Sequence, residues 1–427
     1  MFKFAHMADV HIGAHGWNER LTELEIEVFN ESIDICVKEE VKFIIIAGDF
    51  FHTPVPELEQ VKNIIIKLIE LVELKIPVYV IYGSHDYSPG QDSMIDLLEA
   101  AKLIIKIYNS KSVDGKTRLE MYQDKETGVQ LAGISARKVG LEYAIFENLD
   151  KEHLENQDGF KIFVFHSGIK EYLPKYWPDE QAVPINWFPK GFDYYAGGHI
   201  HKRQELNIQN YRNIIIPGPL FIGHGGKDYA NVAKGIEKRG FYIVSCEDDK
   251  IIENGIKFIE MDKIRGEFVE FDVKGKRPEQ ANEEINKELE ERDVENKLVV
   301  VRIFGELLSG KETDIDLRGI RKRLTERKAI IPELSGRKLS TKEFQKIKVL
   351  SEDKTKMEEE QFKANQKNIK PVNQSLQGRE GIIKAQELLK ILKESPKDSS
   401  GKNSTAIQSK ITKSGIELLG ISEIIED

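Results

Sequence analysis

The sequence has 427 residues, of which 40% are hydrophobic and 32% are charged, and its formal net charge is −9. This length favours two or three domains over one. No run of about 18 apolar residues is present, which argues against a membrane-spanning helix, and the first residues do not resemble a signal peptide. The two cysteines, Cys36 and Cys246, are too few for a disulfide framework or a zinc knuckle. A cytoplasmic protein is therefore expected.

The charge is distributed unevenly along the chain. Residues 318–427 contain 24 Lys and Arg against 16 Asp and Glu, a net charge of +8, so residues 1–317 carry −17. Such asymmetry between parts of a chain is informative, although much of the acidic excess could be a solvated surface. Bound divalent cations would also change the local electrostatics in a way that formal charge does not capture. The acidic average therefore does not exclude a polyanionic substrate.

The first 240 residues alternate short apolar runs with amphipathic segments. Strands are predicted at Phe2–Met7, Phe43–Ala47, Val78–Tyr82, Gln130–Ile134, Lys161–Phe165, Tyr194–Ala196, Ile214–Ile216 and Gly240–Ser245. Helical periodicity is present in Leu21–Lys38, Leu58–Leu74 and Ser93–Ala101. This order predicts an α/β core with both sheet faces covered. Polar residues follow many of these strands, at the carboxyl ends where open α/β sheets bind ligands.

A second unit is predicted from about Ile251 to Ile331. It contains a strand (Glu267–Val273), a helix (Pro278–Arg292), a second strand (Lys297–Phe304) and a second helix (Leu317–Lys328). A unit of this size is near the minimum for independent folding, so we expect it to be stabilised by packing against the first domain.

The composition becomes polar and charged beyond Pro332, and Pro371 and residues 397–404 are typical of linkers. A helix is predicted around residues 342–368. Two further apolar helix faces follow, formed by Ile382, Ala385, Leu388, Leu389 and Leu392, and by Ile407, Ile411, Leu418 and Leu419. Such faces either pack back on the chain or dock on a partner, and the polar spacer favours a partner. The predicted domains are thus 1–250, 251–331 and 332–427.

Histidine and aspartate side chains recur in short polar clusters at the predicted strand ends. The tight clusters are Asp9-Val10-His11, Gly48-Asp49-Phe50-Phe51-His52, Gly83-Ser84-His85-Asp86, His166-Ser167-Gly168 and Gly197-Gly198-His199-Ile200-His201. Residues i and i+2 of a strand lie on the same side, which lets Asp9 and His11 bind one ion. Carboxylate with imidazole and without thiolate suits Mn²⁺, Fe²⁺ or Zn²⁺. Asp49 is the natural bridge between two ions, because its two oxygens can each bind one.

A single histidine is more often structural than a metal ligand, but the joint pattern is difficult to explain by coincidence. Nine of the ten histidines precede position 202. His6 and His153 have no such context and are expected to be structural or at the surface. The sequence leaves His15 and His224 undecided.

These motifs resemble those of the calcineurin-like metallophosphoesterase superfamily, whose pattern is D-x-H, G-D, G-N-H-D/E, H and G-H-x-H. Within it, the chain looks most like the archaeal meiotic-recombination-eleven nuclease of the SbcD type. The segment from Lys190 to Arg203 carries much of this resemblance, as does His52, three residues after the bridging Asp49. The resemblance implies a metallophosphoesterase β-sandwich flanked by helices, a small α+β capping domain for DNA recognition and a helical C-terminal tail.

The resemblance also implies a ligand set by motif position. One metal would be held by Asp9, His11, Asp49 and His201, and the other by Asp49, Ser84, His166 and His199. His85 would act on the substrate as the proton donor, paired with Asp86 or His52, and His52 would support it. The family has Asn where this chain has Ser84, whose hydroxyl is a shorter and weaker ligand, so the second metal is expected to bind less tightly.

The implied function is a DNA nuclease dependent on two Mn²⁺ ions, with three-prime to five-prime exonuclease and single-strand endonuclease activity in double-strand-break repair. The implied assembly is a homodimer, formed through the first domain, with a Rad-fifty/SbcC-type coiled-coil ATPase on the tail helices. The basic residues after position 318, among them Arg318, Arg321, Lys322 and Arg323, could contact DNA or complement the partner. Two alternatives remain: a metal-impaired scaffold that binds DNA and the ATPase, and a phosphatase or phosphodiesterase on the same fold.

Overall fold

The computed structural model describes residues 1–88, 92–137, 142–173, 182–341 and 378–394, together with Gly415. The chain forms two compact units. One comprises Met1–Phe271, Ile285–Ile303 and Asp316–Gly336, and the other comprises Asp272–Glu284, Phe304–Ile315 and Arg337–Asp427. The helix predicted around 342–368 and the apolar residues predicted at 407–419 lie outside the described residues.

Short strands dominate the described chain. They are β1 (Phe2–Met7), β2 (Phe43–Ala47), β3 (Val78–Ile81), β4 (Ile105–Lys106), β5 (Ser110–Val113), β6 (Lys116–Leu119), β7 (Tyr122–Gln123), β8 (Gln130–Ile134), β9 (Lys161–His166), β10 (Gly168–Ile169), β11 (Ala182–Val183), β12 (Tyr194–Gly198), β13 (Gln204–Ile208), β14 (Tyr211–Ile216), β15 (Gly240–Glu247), β16 (Lys250–Glu260), β17 (Arg265–Asp272), β18 (Lys297–Leu307) and β19 (Ile331–Thr341).

The helices cover the sheets of the first unit or follow the later strands. They are α1 (Glu19–Lys38), α2 (Leu58–Glu73), α3 (Met94–Ala100), α4 (Tyr143–Glu147), α5 (Lys151–Glu155), α6 (Gly226–Ala233), α7 (Pro278–Glu290), α8 (Leu317–Glu326) and α9 (Gly378–Glu394). Within the described segments, no helix is both long enough and apolar enough to span a bilayer.

Two six-stranded mixed sheets form the core of the first unit. The first has the order β16-β15-β1-β2-β3-β4, and the second has the order β13-β14-β12-β9-β8-β7. β1 to β4 run parallel, as do β8, β9, β12 and β14. Parallel strands need crossover connections, which α1 and α2 supply in the first sheet. The α/β architecture expected from the sequence, with helices flanking mixed sheets, is confirmed.

The two sheets pack face to face through aromatic and β-branched side chains. Phe4 of β1 stacks on Phe43 of β2 at a centroid distance of 5.1 Å and meets Tyr194 of β12 edge-on at 5.2 Å. The same cluster contains Ile45, Ile162 and other buried residues of both sheets. The outer face of the first sheet is covered by α1, α2 and α3, so its strands are buried on both sides. This explains the nearly continuous apolar runs of β2 and β3.

A third sheet has the order β17-β18-β19. Its first two strands and the helices α7 and α8 lie where the sequence predicts them. The third strand differs, because β19 continues to Thr341, whereas a linker was expected after residue 331. Its buried residues do not alternate, and Pro332 near its start is typical of an edge strand rather than a central one. The polar composition of this segment therefore concealed a strand.

Candidate metal centre

The polar clusters predicted from the sequence converge on one rim of the two sheets. Asp9 follows β1, Asp49 follows β2 and His85 follows β3, while His166 ends β9 and His199 follows β12. Because these strands are parallel within each sheet, their carboxyl ends meet at the same edge. Side chains from these five sequence segments can thus share one site.

The backbone turns sharply where it delivers these side chains. Asp9, His11, Asp49 and His199 have φ values of 49°, 52°, 51° and 80°, a left-handed region that side-chain-bearing residues seldom adopt. The Asp9 amide donates to the carbonyl of Gly48 at 3.1 Å, and the His11 amide donates to the carbonyl of Asp49 at 2.9 Å. Strained conformations of this kind concentrate at functional sites.

The first donor cluster consists of Asp9, His11 and His201, whose ligand atoms lie within 4.8 Å of one another. The Nε2 atoms of His11 and His201 are 3.1 Å apart, and Nε2 of His201 lies 3.9 Å from Oδ1 of Asp9. Nδ1 of His201 lies 2.8 Å from Oδ2 of Asp228. With the Nδ1 proton donated to this carboxylate, the lone pair of Nε2 is free for a cation.

The second donor cluster consists of Asp49, His166 and His199, again within 4.8 Å. Nδ1 of His166 lies 2.8 Å from the carbonyl oxygen of Ala47, to which it can donate, and Nε2 lies 3.1 Å from Oδ2 of Asp49. The same Oδ2 is 3.6 Å from Nε2 of His11 in the first cluster. Asp49 is therefore adjacent to both clusters, as a bridging ligand must be.

The donor sets fit divalent cations. Asp9, Asp49, His11 and His166 are each at most 2% exposed, and burying two carboxylates without compensating positive charge is costly. Burial alone would lower the pKa of His166, but the carboxylates of Asp49 and Asp9 raise it to about 10. The pKa of Asp49 lies well below its ordinary value, since the charges of His166 and His11 outweigh the opposing effect of burial. Cations would replace the protons that balance these carboxylates.

Three further imidazoles stand beside the first cluster and form an imidazole rim, which comprises His52, His85 and His224. The rings of His52 and His85 stack at a centroid distance of 4.8 Å, and the ring of His224 lies 4.9 Å from the first and 5.1 Å from the second. The His85 amide donates to Oδ1 of Asp49 at 2.7 Å. The structure thus brings His52 and His85 together, next to the two donor clusters.

Comparison with known proteins supplies the family. Residues 2–203 match the model of the calcineurin-like phosphoesterases. This part of the chain belongs to that family. The phosphoesterase domain thus contains every residue that the sequence predicts as a metal ligand or catalytic group.

The relatives are archaeal and bacterial proteins. The DNA double-strand break repair protein Mre11 of Methanococcus maripaludis is 28% identical over 266 residues, which cover 61% of this chain and 67% of that protein. Mre11 of Sulfurisphaera tokodaii is 30% identical over 221 residues, covering 50% and 52%. The uncharacterized metallophosphoesterase YhaO of Bacillus subtilis is 28% identical over 264 residues, covering 58% of each. The chain therefore matches half to two thirds of these relatives' lengths.

Among solved structures, the calcineurin-like phosphoesterase YfkN from Bacillus subtilis is 12% identical and covers 68% of this chain and 96% of that chain. Its TM-score is 0.34, which is too low to bear on the fold.

Ser84 is on the rim of the phosphoesterase domain, where the family pattern has Asn. Its hydroxyl can donate to Oδ2 of Asp49 at 3.5 Å, a long hydrogen bond. The hydroxyl is therefore near the second cluster, and its role as a ligand stays a prediction, as do the assignments of the other ligands.

Asp86 does not orient His85, which was one of the two partners considered from the sequence. Its carboxylate accepts the amides of Phe50, Phe51 and Gly83 at 3.1, 2.8 and 2.9 Å. Nδ1 of His85 instead lies 2.8 Å from the carbonyl oxygen of His52. Asp86 anchors the backbone of two rim segments, because a carboxylate can accept several amides that have no other partner at a strand end.

Three histidines, His6, His15 and His153, lie outside the two donor clusters and the imidazole rim. Nδ1 of His6 lies 3.0 Å from the hydroxyl of Tyr194 between the sheets, and burial lowers the pKa of His6 to about 3. His153 is on α5, where the sequence gave it no part in the site. His15, undecided from the sequence, is buried with its Nδ1 2.9 Å from Oε1 of Glu25. These contacts are structural.

Sequence reasoning missed Asp228 and Arg239. Asp228 is in the first turn of α6, and Arg239 precedes β15. Arg239 donates to the carbonyl of His201 at 2.8 Å and to Oδ1 of Asp228 at 3.4 Å. Neither residue is within a recognisable motif, although His224, four residues before Asp228, was left undecided by the sequence.

Proposed function

We propose that the chain is a metal-dependent DNA nuclease that acts in double-strand-break repair, with three-prime to five-prime exonuclease and single-strand endonuclease activity. The observation that carries the proposal is the meeting of two carboxylate–imidazole clusters at Asp49, directly beside His52 and His85. Several relatives are named as double-strand break repair proteins, which supports DNA as the substrate.

We assign one Mn²⁺ to Asp9, His11, Asp49 and His201, and a second to Asp49, Ser84, His166 and His199. When bound, such a pair would supply an activated water nucleophile at neutral pH and would neutralise charge on the phosphate oxygens. Carboxylate with imidazole and without thiolate suits Mn²⁺, as it does Fe²⁺ and Zn²⁺, and Mn²⁺ is the ion that the resemblance implies.

Side chains of the protein then protonate the leaving sugar oxygen. His85 can donate its Nδ1 proton to the carbonyl of His52, which leaves Nε2 as the ring atom available to the substrate. When doubly protonated, His85 can donate a proton from Nε2 to the departing sugar oxygen. General acids in this role typically increase the reaction rate by about 10²–10⁴-fold. His52 stacks on the ring and limits its rotation.

The proposed homodimer would use an apolar face of α2 and α3. Ile66, Ile69 and Val72 recur at a spacing of three on α2 and are 57%, 43% and 48% exposed, and Leu97 of α3 is 56% exposed. A second copy of the chain could bury such a face. Ile69→Asp together with Leu97→Asp should give a monomer in light scattering, whereas Ile236→Asp, at a 66% exposed position elsewhere, should leave the dimer intact. A dimer that survives the double change would refute this surface.

The capping domain at 251–331 and the tail at 332–427 stay proposals, with DNA and a Rad-fifty/SbcC-type ATPase as their partners. Arg318 and Lys322 of α8 are exposed, while Arg323 donates to Asn286 at 2.6 Å. On α9, Ile382 is buried and Ala385, Leu388 and Leu389 are half-buried. Phosphate contacts by α8 would weaken steeply with salt. We likewise keep the cytoplasm as the proposed location.

A metal-impaired scaffold is the second candidate, and Ser84 is the observation that favours it. The test is cleavage of linear duplex DNA with Mn²⁺, without metal, and after His85→Ala. A nuclease gives metal-dependent products that His85→Ala abolishes. A scaffold binds DNA without cutting it, and a phosphatase hydrolyses bis-nitrophenyl phosphate but leaves DNA intact.

A further inference from the structure

The segment from Gly223 to Asp228 contacts the metal centre from a side that no motif predicts. His224 lies close to four imidazoles, with ring centroids 4.6 Å from His11, 4.9 Å from His52, 5.1 Å from His85 and 5.0 Å from His201. It is half-buried, and none of the expected ligand sets uses it. An imidazole at this position can reach whatever the metal centre and His85 act upon.

The loop is held there by Asp228. The His224 amide donates to Oδ2 of Asp228 at 3.3 Å, and the same oxygen lies 2.8 Å from Nδ1 of His201. Oδ1 accepts from Arg239 at 3.4 Å. Both oxygens of this buried carboxylate are therefore engaged: Oδ2 with the backbone amide of His224 and the ring of His201, and Oδ1 with Arg239.

The backbone at Gly223 supports a dedicated fit between the loop and Asp228. Gly223 has a φ of 79°, and a Cβ placed there would lie 2.4 Å from Oδ2 of Asp228. Glycine is thus required both by conformation and by the close approach of the carboxylate. Asp228 is also in the first turn of α6, where the helix dipole stabilises a negative charge.

We propose that His224 is a second substrate-binding imidazole beside His85, contacting a non-bridging oxygen of the phosphodiester, and that Asp228 is the positioning residue that aligns both His224 and His201. The inference rests on the proposed phosphodiesterase function and adds a phosphate contact to it. His52, His85 and His224 then surround the phosphate on the side facing the first donor cluster. Asp228 links substrate binding to metal binding, because one oxygen serves both.

The two roles predict separable defects. His224→Ala should weaken binding of inorganic phosphate to the Mn²⁺-loaded protein by roughly 10-fold, the value of one strong hydrogen bond, while Mn²⁺ affinity changes by less than about 2-fold. Asp228→Asn should lower Mn²⁺ affinity by about 10-fold, as is typical when a partner of a metal-bound histidine is removed. His153→Ala and Asp193→Asn, outside the site, serve as matched controls.

Both quantities are measured by calorimetry on the full chain, with thermal denaturation as a check on folding. His224→Gln should recover part of the phosphate affinity because it restores a donor, and Asp228→Glu provides a second variant if Asp228→Asn does not fold. Phosphate affinity unchanged by His224→Ala, or phosphate that does not bind the wild type, would overturn the substrate role. Mn²⁺ affinity unchanged by Asp228→Asn would overturn the positioning role.

These readouts do not depend on turnover. If the wild type binds Mn²⁺ and phosphate but cuts no DNA, the nuclease proposal fails while the assignment of His224 is still decided. With bis-nitrophenyl phosphate as substrate, we expect His224→Ala to raise KM more than it lowers kcat, because the contact is already made in the bound substrate.

Discussion

The two donor clusters differ in how the fold holds their histidines. His166, in the second cluster, is fully buried, and its Nδ1 faces the backbone carbonyl of Ala47 on the neighbouring sheet. His201, in the first cluster, has a side chain that is 20% exposed, and its Nδ1 faces the side chain of Asp228. One histidine is thus positioned by the main chain and the other by a replaceable side chain. A mutation can therefore remove the partner of His201, whereas the partner of His166 is a backbone carbonyl that no substitution removes.

The clusters differ again in their oxygen donors. The first has the buried carboxylate of Asp9, which accepts the His199 amide at 3.0 and 3.1 Å. Ser84, at the position where the family pattern has Asn, lies near the second cluster, with its hydroxyl 3.5 Å from Oδ2 of Asp49. Asp49 belongs to the second cluster, and its Oδ2 lies 3.6 Å from Nε2 of His11 in the first. The second cluster thus combines a histidine held by the backbone with a weak neutral oxygen donor nearby, and the first combines a histidine held by a side chain with a buried carboxylate. The following changes separate these contributions.

Asp49→Asn should have the largest effect, because it removes the carboxylate that we propose to bridge the two clusters. We expect loss of the second Mn²⁺, weaker binding of the first and a fall in turnover of roughly 10³-fold or more. Metal binding by calorimetry and hydrolysis of bis-nitrophenyl phosphate give the two readouts. Retention of two tightly bound ions would contradict a bridging role.

His85→Ala tests the proton-donor role in the imidazole rim without removing a residue of either donor cluster. Turnover should fall by about 10²–10⁴-fold, because the leaving oxygen loses its proton donor, while Mn²⁺ stoichiometry remains that of the wild type. If the variant instead loses its metals, with residual activity proportional to occupancy, the donor role is wrong.

Asp86→Ala separates folding from metal binding. The change leaves three amides without their acceptor, and we expect about 3 kcal/mol of destabilisation, at roughly 1 kcal/mol or more for each. Urea denaturation of the metal-free protein measures it, with Asp86→Asn, which keeps one acceptor oxygen, as the milder comparison. Unchanged stability would show that these amides find other partners.

Ser84→Asn should have the smallest effect and the opposite sign. An amide oxygen on a longer side chain is a better neutral ligand, so Mn²⁺ affinity at the second cluster should increase by about 10-fold, comparable to other changes around metal ligands. A large accompanying gain in nuclease rate would show that the natural chain is limited at this metal. No change in either quantity would show that Ser84 suffices.

Much of the fold and of the site could be predicted because the sequence pattern of each strand or helix lies next to the residue that it positions. Asp9, Asp49 and His166 each come at the end of an apolar strand, so the strand that places the residue is visible beside it. Helices α1 and α2 were predictable from periodicity, with ends shifted by two residues or fewer.

The missed features depend on contacts between distant segments. The role of Asp228 becomes visible only in the fold, which brings its carboxylate to His201, 27 residues away in the chain. Asp86 adjoins His85 in sequence, yet its carboxylate faces the amides of Phe50 and Phe51. In β19, burial without alternation and an edge-strand proline left no two-residue period to detect.

The most direct test of a shared two-ion centre is the electron paramagnetic resonance spectrum of the full chain, recorded as Mn²⁺ is added. Asp49 adjoining both clusters predicts that two ions bind per chain and that the second gives a spin-coupled signal, which Asp49→Asn abolishes. Saturation at one ion, or two ions with uncoupled signals, would contradict a carboxylate-bridged pair.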